Sequence, residues 1–290
     1  MASDTATSTV EQSPPGSRRY WLRQASAFTR RYLRELLRNR VVLFWSVAFP
    51  AGFYLLTITV FIDTSQIPAD AMSIVKASTA VSYGAFGAVV VCLNAFGQQL
   101  VDDVEADRYR QFRALPISPS ADFLGRAAAG LLFAVGAVVA VGVVGLATGA
   151  EFALRSLSSV PILLVAFVGF ALLWMALAVA VVVVVRDARY ANVVTIAVAI
   201  VSYMLTGFNG SNPGSFAADP AWLNVLPNTL ATRLMIYHTV DIAPDGASMS
   251  PPPVPSDPMH LALLAAYGLL AVAAGTLLTR RFLHGRGWSA

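Results

Sequence analysis

The sequence predicts an all-α membrane protein with six transmembrane helices and both termini on the cytoplasmic side. Three observations lead to this fold class: a strongly apolar composition, apolar runs of membrane-spanning length, and an uneven distribution of basic residues. Of the 290 residues, 57% are hydrophobic and only 12% are charged, whereas soluble domains carry about 25% charged residues. Mean hydropathy is +0.65. Lipid rather than water is therefore expected to cover most of the surface.

The apolar runs define the spans. A helix needs about 20 apolar residues to cross the hydrocarbon core of a bilayer. The fifth predicted span is short and the fourth is long enough to tilt. The six predicted spans are 41–62, 79–101, 126–148, 159–185, 190–207 and 259–280.

Basic residues orient these spans. Cytoplasmic connections carry an excess of Lys and Arg. If both termini are cytoplasmic, the outer segments hold only three of the 20 basic residues, namely Lys76, Arg155 and Arg233. All the others fall in the inner segments, so the pattern alternates correctly across all six spans and predicts a multi-pass protein.

The sequence predicts a single membrane domain over residues 18–285. Residues 1–17 are rich in Ser, Thr and Pro and lack the basic-then-apolar order of a signal peptide, which predicts a disordered cytoplasmic tail. Residues 286–290 form a short C-terminal tail.

Residues 18–40 are predicted to form an amphipathic helix that lies in the lipid headgroups. At about 100° per residue, apolar side chains fall on one half of this helix and arginines on the other. The helix either serves as a simple anchor or leads into the first span beside a cytoplasmic partner domain. The arginines proposed for this interfacial helix are Arg23, Arg30, Arg34 and Arg38.

A charged island over residues 101–118 separates the second and third spans. Acidic residues come first and arginines follow, an order that opposes the dipole of a helix. The order predicts one short helix that ends before Pro116, within a loop over 102–118. Such a loop is either a solvated connection or a surface for a partner. The acidic residues are Asp102, Asp103, Glu105 and Asp107, and the arginines are Arg108, Arg110 and Arg113.

The outer segment over residues 208–258 is too long for an ordinary connection. Its apolar part is interrupted by Pro227 and is too short to cross the bilayer. Two half-length re-entrant helices are predicted, the second beginning near Pro227 and Asn228, because proline suits the first turn of a helix. A gate that includes Trp222, Pro227 and Asn228 and a plain outer surface helix are equally compatible with the sequence.

Several functional classes lack their usual residues. The spans carry no charged residue at their centres, which disfavours an ion-coupled carrier, and no converging catalytic set for an intramembrane enzyme is evident. Asn94 and Gln98 share a helix face, and they predict either interhelical hydrogen bonds or a polar stripe along a pathway. The single Cys92 and three scattered histidines predict no metal site. The sequence has no Gly-x-x-x-x-Gly-Lys phosphate loop.

The architecture and several short motifs resemble the membrane subunit of ABC-2 type transporters, and in particular the drug-export branch. Similar motifs follow the charged island, at Arg113-Ala-Leu-Pro-Ile-Ser118 and Leu124-Gly-Arg126, and precede the last span, at Pro220-x-Trp-Leu and Leu226-Pro-Asn-Thr229. A glycine that is usual in the family's loop is replaced near Asp107.

The resemblance implies a permease without its own ATPase site. Two membrane subunits, identical or related, would form the pathway in the cell membrane. Separate cytosolic ATPase subunits would bind ATP and Mg²⁺ and drive transport. No cofactor on this chain and no nucleic-acid partner are expected. An alternative is a membrane anchoring or assembly protein that binds a cytosolic partner without transport. The loop between the second and third spans would dock on the ATPase, with Phe112 as the buried anchor. The expected coupling contacts are Glu105, Asp107, Arg108, Arg110, Phe112 and Arg113.

Overall fold

The computed structural model describes residues 17–62, 67–69, 71–185, 187–211, 220–242 and 258–284. All regular structure in these ranges is helical. The predicted C-terminal tail and nearly all of the predicted N-terminal tail lie outside them. The helices are α1 (Arg18–Arg38), α2 (Arg40–Phe61), α3 (Met72–Glu105), α4 (Arg108–Arg113), α5 (Pro119–Ala147), α6 (Ser159–Val185), α7 (Ala188–Leu205), a 3-10 turn (Pro220–Val225), α8 (Pro227–Thr239) and α9 (Pro258–Leu283).

Five of these helices are long and apolar enough to cross a membrane: α2, α3, α5, α6 and α9. They correspond to five of the six predicted spans. Helix α7 matches the remaining predicted span, at 190–207, but its apolar part, Tyr190–Leu205, is shorter than a usual span.

Helix α3 is the centre of the fold. Within its most apolar window 83% of the residues are buried inside the protein, against 22% for α2 and for α9. Cys92 lies in this buried part of α3 with none of its surface exposed. The lipid-facing helices therefore surround α3, and their exposed apolar side chains are the ordinary surface of a membrane protein.

Helices α6 and α9 pack with their backbones close together. A Cβ atom added to Gly268 would lie 2.9 Å from the Cα of Gly169. Small residues permit such close helix contacts in membranes, where van der Waals packing replaces the hydrophobic effect as the attraction between helices.

The charged island does not form the single helix that its charge order predicts. Asp102, Asp103 and Glu105 end the long helix α3, and the arginines begin the separate helix α4. The acids therefore stand at a helix C-terminus, where the dipole disfavours them. Ion pairs of Asp103 with other helices offset this cost. Helix α4 does end before Pro116, as predicted.

The segments predicted to be inner and outer gather at opposite ends of the helices. One end, called the arginine-rich end here, contains α1, α4 and the last turn of α9. At the other end, Lys76 Nζ donates to the carbonyl of Thr148 at 2.8 Å and Ser73 donates to Glu151. This grouping agrees with the predicted alternation. Which end faces the cytoplasm remains a prediction.

The outer segment includes helix α8, which begins at Pro227 as predicted and whose side chains are mostly buried. Its 13 residues are too few to span a bilayer. Before it, α7 ends in a turn in which Gly207, Phe208, Asn209 and Gly210 all have φ between 54° and 81°. Most of the predicted outer loop over 241–258 lies outside the described residues.

Candidate functional site

Helix α4 projects from the arginine-rich end with one face exposed. Glu105, Asp107, Arg110 and Arg113 are all exposed there. Asp107 pairs with Arg110 at 3.5 Å, but both side chains stay largely in solvent. These four of the six predicted contact residues form one surface that a partner protein can reach.

The other face of α4 packs into the protein. Phe112 is 9% exposed, and its ring lies 5.6 Å from that of Phe28 and 5.5 Å from that of Tyr109. Phe112 thus contacts its own chain, and its role as a partner-facing anchor stays a prediction. Its ring fastens α4 to α1, because burying an aromatic side chain within the chain stabilises that contact.

Arg108 also turns inward from α4. Its guanidinium forms an ion pair with Asp103 and lies 3.7 Å from Glu35 of α1. This predicted contact residue thus joins three helices of its own chain. Its side chain is 37% exposed, so it is only partly open to a partner.

Asp103 is the centre of a partly buried group of charges behind α4, which we call the charge cluster. The carboxylate, fully buried, accepts from Arg126 Nη2 at 2.6 Å and from Arg31 Nη2 at 2.8 Å. Tyr32 donates its hydroxyl to the same carboxylate at 2.7 Å. The charges balance. The cluster contains three arginines and three carboxylates: Arg31, Arg108, Arg126, Glu35, Asp103 and Asp122.

Two buried tyrosines beside the charge cluster keep their own hydroxyl protons. Burial raises the pKa of the Tyr32 and Tyr109 phenols well above their usual value. Each phenol therefore remains a neutral donor at physiological pH. The Arg126 guanidinium also lies 3.7 Å from the centre of the Tyr32 ring, a distance at which a cation and a ring attract each other.

The last turn of α9 joins the charge cluster through His284. Its Nε2 lies 3.2 Å from Asp122, and its ring stacks on Phe112 at 6.2 Å. The cluster therefore connects α1, the end of α3, α4, the start of α5 and the end of α9. A displacement of α4 cannot occur without disturbing several spans.

The break between α3 and α4 depends on Asp107, whose φ is 51°. This left-handed conformation favours glycine, and aspartate is among the few other residues that adopt it readily. The position is the one where the resemblance leads us to expect glycine. Aspartate preserves the bend that glycine would provide.

Helix α1 packs on the start of α5. A Cβ on Gly125 would lie 2.6 Å from the carbonyl oxygen of Ala25, so only glycine permits this approach. Thr29 donates to the carbonyl of Gly125 at 3.0 Å, and Trp21 donates to Ser120 at 2.9 Å. The predicted interfacial arginines Arg23, Arg30, Arg34 and Arg38 are all exposed.

The predicted gate residues occupy unlike environments. Trp222 is 74% exposed and Pro227 begins α8. Asn228 is buried, and its Nδ2 donates to Asn209 Oδ1 at 2.9 Å and to Thr206 Oγ1 at 3.1 Å. Asn228 thereby ties α8 to the left-handed turn after α7, while a gating role stays a prediction.

The predicted pathway residues also separate. Asn94 donates to Asn192 Oδ1 at 2.6 Å, an interhelical bond between α3 and α7. Gln98 donates to Asp102 within α3 at 2.9 Å and lines a polar cavity of about 250 Å³. Of the two interpretations of these residues, the interhelical hydrogen bond describes Asn94, and Gln98 faces a cavity.

A larger cavity, which we call the outer cavity, lies toward the opposite end. Its volume is about 630 Å³. Aromatic rings of α2, α3 and α7 form part of its walls, among them Phe53, Phe61, Tyr83 and Tyr203, together with aliphatic side chains and hydroxyl groups. Thr57 and Tyr83 share a hydrogen bond of 2.6 Å at its side.

The charge cluster was not predicted from the sequence. Arg126 and Asp103 entered the prediction only as members of the inner charge pattern and of the exposed island. A weak signal exists in Asp122 and Arg126, which are four residues apart at the start of an apolar span. A salt-bridged pair with this spacing can be buried on one helix face.

Taken together, these features define an integral membrane protein with an exposed helix braced by buried ion pairs at one end. The sequence profile of the family described as ABC-2 type transporter matches residues 23–216. The match covers well over half of the chain, from the interfacial helix through α7, and the chain belongs to this family. It is therefore a permease component of an ABC-type transporter, a component distinct from the ATPase. No curated protein matches the chain in a sequence comparison.

Proposed function

We propose that the chain is the permease subunit of an ATP-driven exporter in the cell membrane. Two permease copies, identical or related, would form the pathway, and separate cytosolic ATPase subunits with bound ATP and Mg²⁺ would drive it. In this arrangement α2, α3, α5, α6, α7 and α9 are the six spans, α8 is re-entrant, and the arginine-rich end faces the cytoplasm.

The observation that carries this proposal is the bracing of α4. The helix exposes Arg110 and Arg113, Glu105 and Asp107 are exposed just before it, and Phe112 and Arg108 hold it from behind. A partner that moves α4 acts through the charge cluster on the ends of three spans. Such rigid attachment suits a helix that transmits force, whereas a solvated connection requires no buried ion pairs.

The outer cavity supports the proposed substrate class. Drug-sized ligands occupy pockets of about 300–1,000 Å³ that are mostly apolar with a few polar groups. The outer cavity has this size, aromatic walls and the Thr57 and Tyr83 hydroxyls. We infer that it receives a small hydrophobic or amphipathic substrate.

Charge exchange on the exposed face of α4 tests the coupling role. The double variant Glu105→Arg with Arg110→Glu conserves net charge and alters only exposed side chains. We expect normal membrane insertion, and loss of an ATPase subunit with a phosphate-binding loop on affinity purification from native membranes, scored by mass spectrometry. Glu151→Arg, at the opposite end, should retain the ATPase.

Two results would contradict the proposal. Recovery of the ATPase in wild-type amount with the charge-exchange variant would remove α4 as the docking helix. Recovery from wild-type membranes of a stoichiometric partner that lacks a phosphate-binding loop, with no ATP-dependent transport, would favour the anchoring or assembly alternative.

A further inference from the structure

A basic groove lies beside α4. It shares Arg113 with the exposed partner-facing surface, whereas Glu105, Asp107 and Arg110 lie outside it. It runs between the residues that follow α4 and the last turn of α9, and its volume is about 430 Å³. Phe112 and His284 form its inner wall, Arg113 and Arg280 supply its charge, and Leu115 and Ile117 line its apolar side.

The two groove arginines differ from those of the charge cluster in their pairing. Arg31, Arg108 and Arg126 each have a carboxylate partner. Among the described residues, neither Arg113 nor Arg280 has a carboxylate oxygen within 4 Å. Arg113 donates from Nη1 to the backbone carbonyl of Leu283 at 3.2 Å, a bond that fixes its position without neutralising it. The groove therefore carries uncompensated positive charge.

The groove lies at the level where two spans leave the hydrocarbon. Helix α5 begins at Pro119, and the apolar part of α9 ends at Arg280 and Arg281. Lys and Arg mark this boundary in membrane proteins. Leu277, one turn before Arg280, is 61% exposed and extends the apolar surface from the groove along α9 toward the bilayer.

We propose that this groove binds the headgroup of an anionic phospholipid. The lipid phosphate would accept hydrogen bonds from Arg113 and Arg280, and an acyl chain would lie along α9 over Leu277. Basic pockets between transmembrane helices at the membrane surface recognise such headgroups, and guanidinium groups bind phosphate oxygens strongly. The assignment of this lipid to the inner leaflet rests on the orientation given under the proposed function. The binding of the lipid does not rest on that orientation.

Lipid binding in the groove would affect helix α4. His284 contacts the groove on one side and pairs with Asp122 of the charge cluster on the other. Phe112, the residue that fastens α4 to α1, belongs to the same wall. A bound lipid would therefore hold α4 and the end of α9 together.

Lipid retention on the purified full-length chain tests the site without the ATPase. Delipidated protein in detergent receives phosphatidylglycerol or phosphatidylcholine in mixed micelles, and native mass spectrometry counts the retained lipids. Wild type should retain phosphatidylglycerol preferentially. The variant Arg113→Gln with Arg280→Gln should retain it about tenfold less, since each basic residue near a membrane surface contributes substantially to binding anionic lipid.

A matched control removes the same charge elsewhere. Arg34→Gln with Arg110→Gln alters two exposed arginines outside the groove, and we expect retention within about twofold of wild type because it leaves the headgroup contacts intact. Arg113→Lys with Arg280→Lys preserves the charge, and its retention should fall between wild type and the Gln variant, because lysine cannot bind phosphate through two parallel hydrogen bonds.

Three outcomes would overturn the proposal. Equal losses in the groove and control variants would indicate diffuse attraction to the whole basic end. Displacement of phosphatidylglycerol by millimolar inorganic phosphate would make the groove a site for free anions. Unchanged lipid retention in the Gln variant, with loss of the ATPase from native membranes, would make the groove a protein-docking surface.

Discussion

The two ends of the molecule hold their helices together by different means. At the arginine-rich end, Asp103 and Arg126 are almost completely buried and directly paired. At the opposite end, which we call the outer end after the outer cavity, helices α2, α3 and α7 meet through aromatic rings and single hydroxyl contacts. The first end has matched charges in its interior, and the second leaves space between rings.

This difference separates a part that keeps its shape from a part that adapts. A buried ion pair holds groups in one geometry, because displacing either partner leaves an uncompensated charge in a nonpolar environment. Aromatic walls can repack around ligands of different shapes at lower cost, since dispersion contacts have weak directional demands. Under the proposed function, the charge cluster would give firm attachment where force arrives, and the cavity would give an adaptable surface where cargo binds.

Removal of Asp103 should give the largest effect. Asp103→Ala leaves Arg126 buried without its closest carboxylate, and loss of one partner of a buried pair costs about 3–5 kcal/mol. We expect a much lower melting temperature in detergent, followed by fluorescence-detected size-exclusion chromatography.

The adjacent residue provides the control for Asp103. Asp102 is exposed, and its carboxylate accepts a hydrogen bond from Gln98 of its own helix, so Asp102→Ala should change the free energy of unfolding by at most about 0.5 kcal/mol. Equal melting temperatures for the two variants would show that the charge cluster does not brace the arginine-rich end.

Close packing of α1 on α5 should have an intermediate effect. In Gly125→Ala the new methyl group meets the backbone oxygen of Ala25, which cannot rotate away, and overpacking of this kind costs about 1–3 kcal/mol. The measurement is thermal unfolding together with hydrogen exchange of residues 18–38.

Gly136, on the same helix, is the matched control. A Cβ built there meets no atom within 4 Å beyond its chain neighbours and the backbone of its own helix, so Gly136→Ala should leave stability unchanged or raise it through better helix propensity. If Gly125→Ala protects residues 18–38 from exchange as well as wild type does, the packing of α1 is not what fixes its position.

The outer end should show the smallest effect. Thr57→Val removes the hydrogen bond to Tyr83 that joins α2 to α3, a loss of about 1 kcal/mol. Thr59→Val, two residues later, removes only a bond to the carbonyl of Leu55 in its own helix and should be nearly neutral. Thermal unfolding in detergent again measures the effect. A loss of stability in Thr57→Val as large as that in Asp103→Ala would contradict the comparison between the two ends.

Features set by long apolar runs were predictable from the sequence. The fourth predicted span coincides with α6, Ser159–Val185, and α8 begins at Pro227 as its proline indicates. These features depend on local composition and on the position of proline, which lacks a backbone N–H. Both can be read from a single segment of the chain.

Features set by contacts between distant segments were not predictable. The charge order of residues 101–118 predicts one helix, but Asp103 pairs with Arg31 and Arg126, and these contacts decide where the helix breaks. Phe112 faces inward because α1 supplies Phe28 against it. Neither partner is visible from the loop itself, so local helix energetics gave the wrong answer.

Burial of the lone thiol in α3 has a practical consequence. Cys92 has no accessible surface, so water-soluble maleimides should leave the native chain unmodified. Cysteines introduced singly at exposed positions, such as Arg110 at one end and Glu151 at the other, would then report accessibility from each side of an intact cell without first engineering a cysteine-free protein. The natural sequence is already suited to mapping which end faces the cytosol.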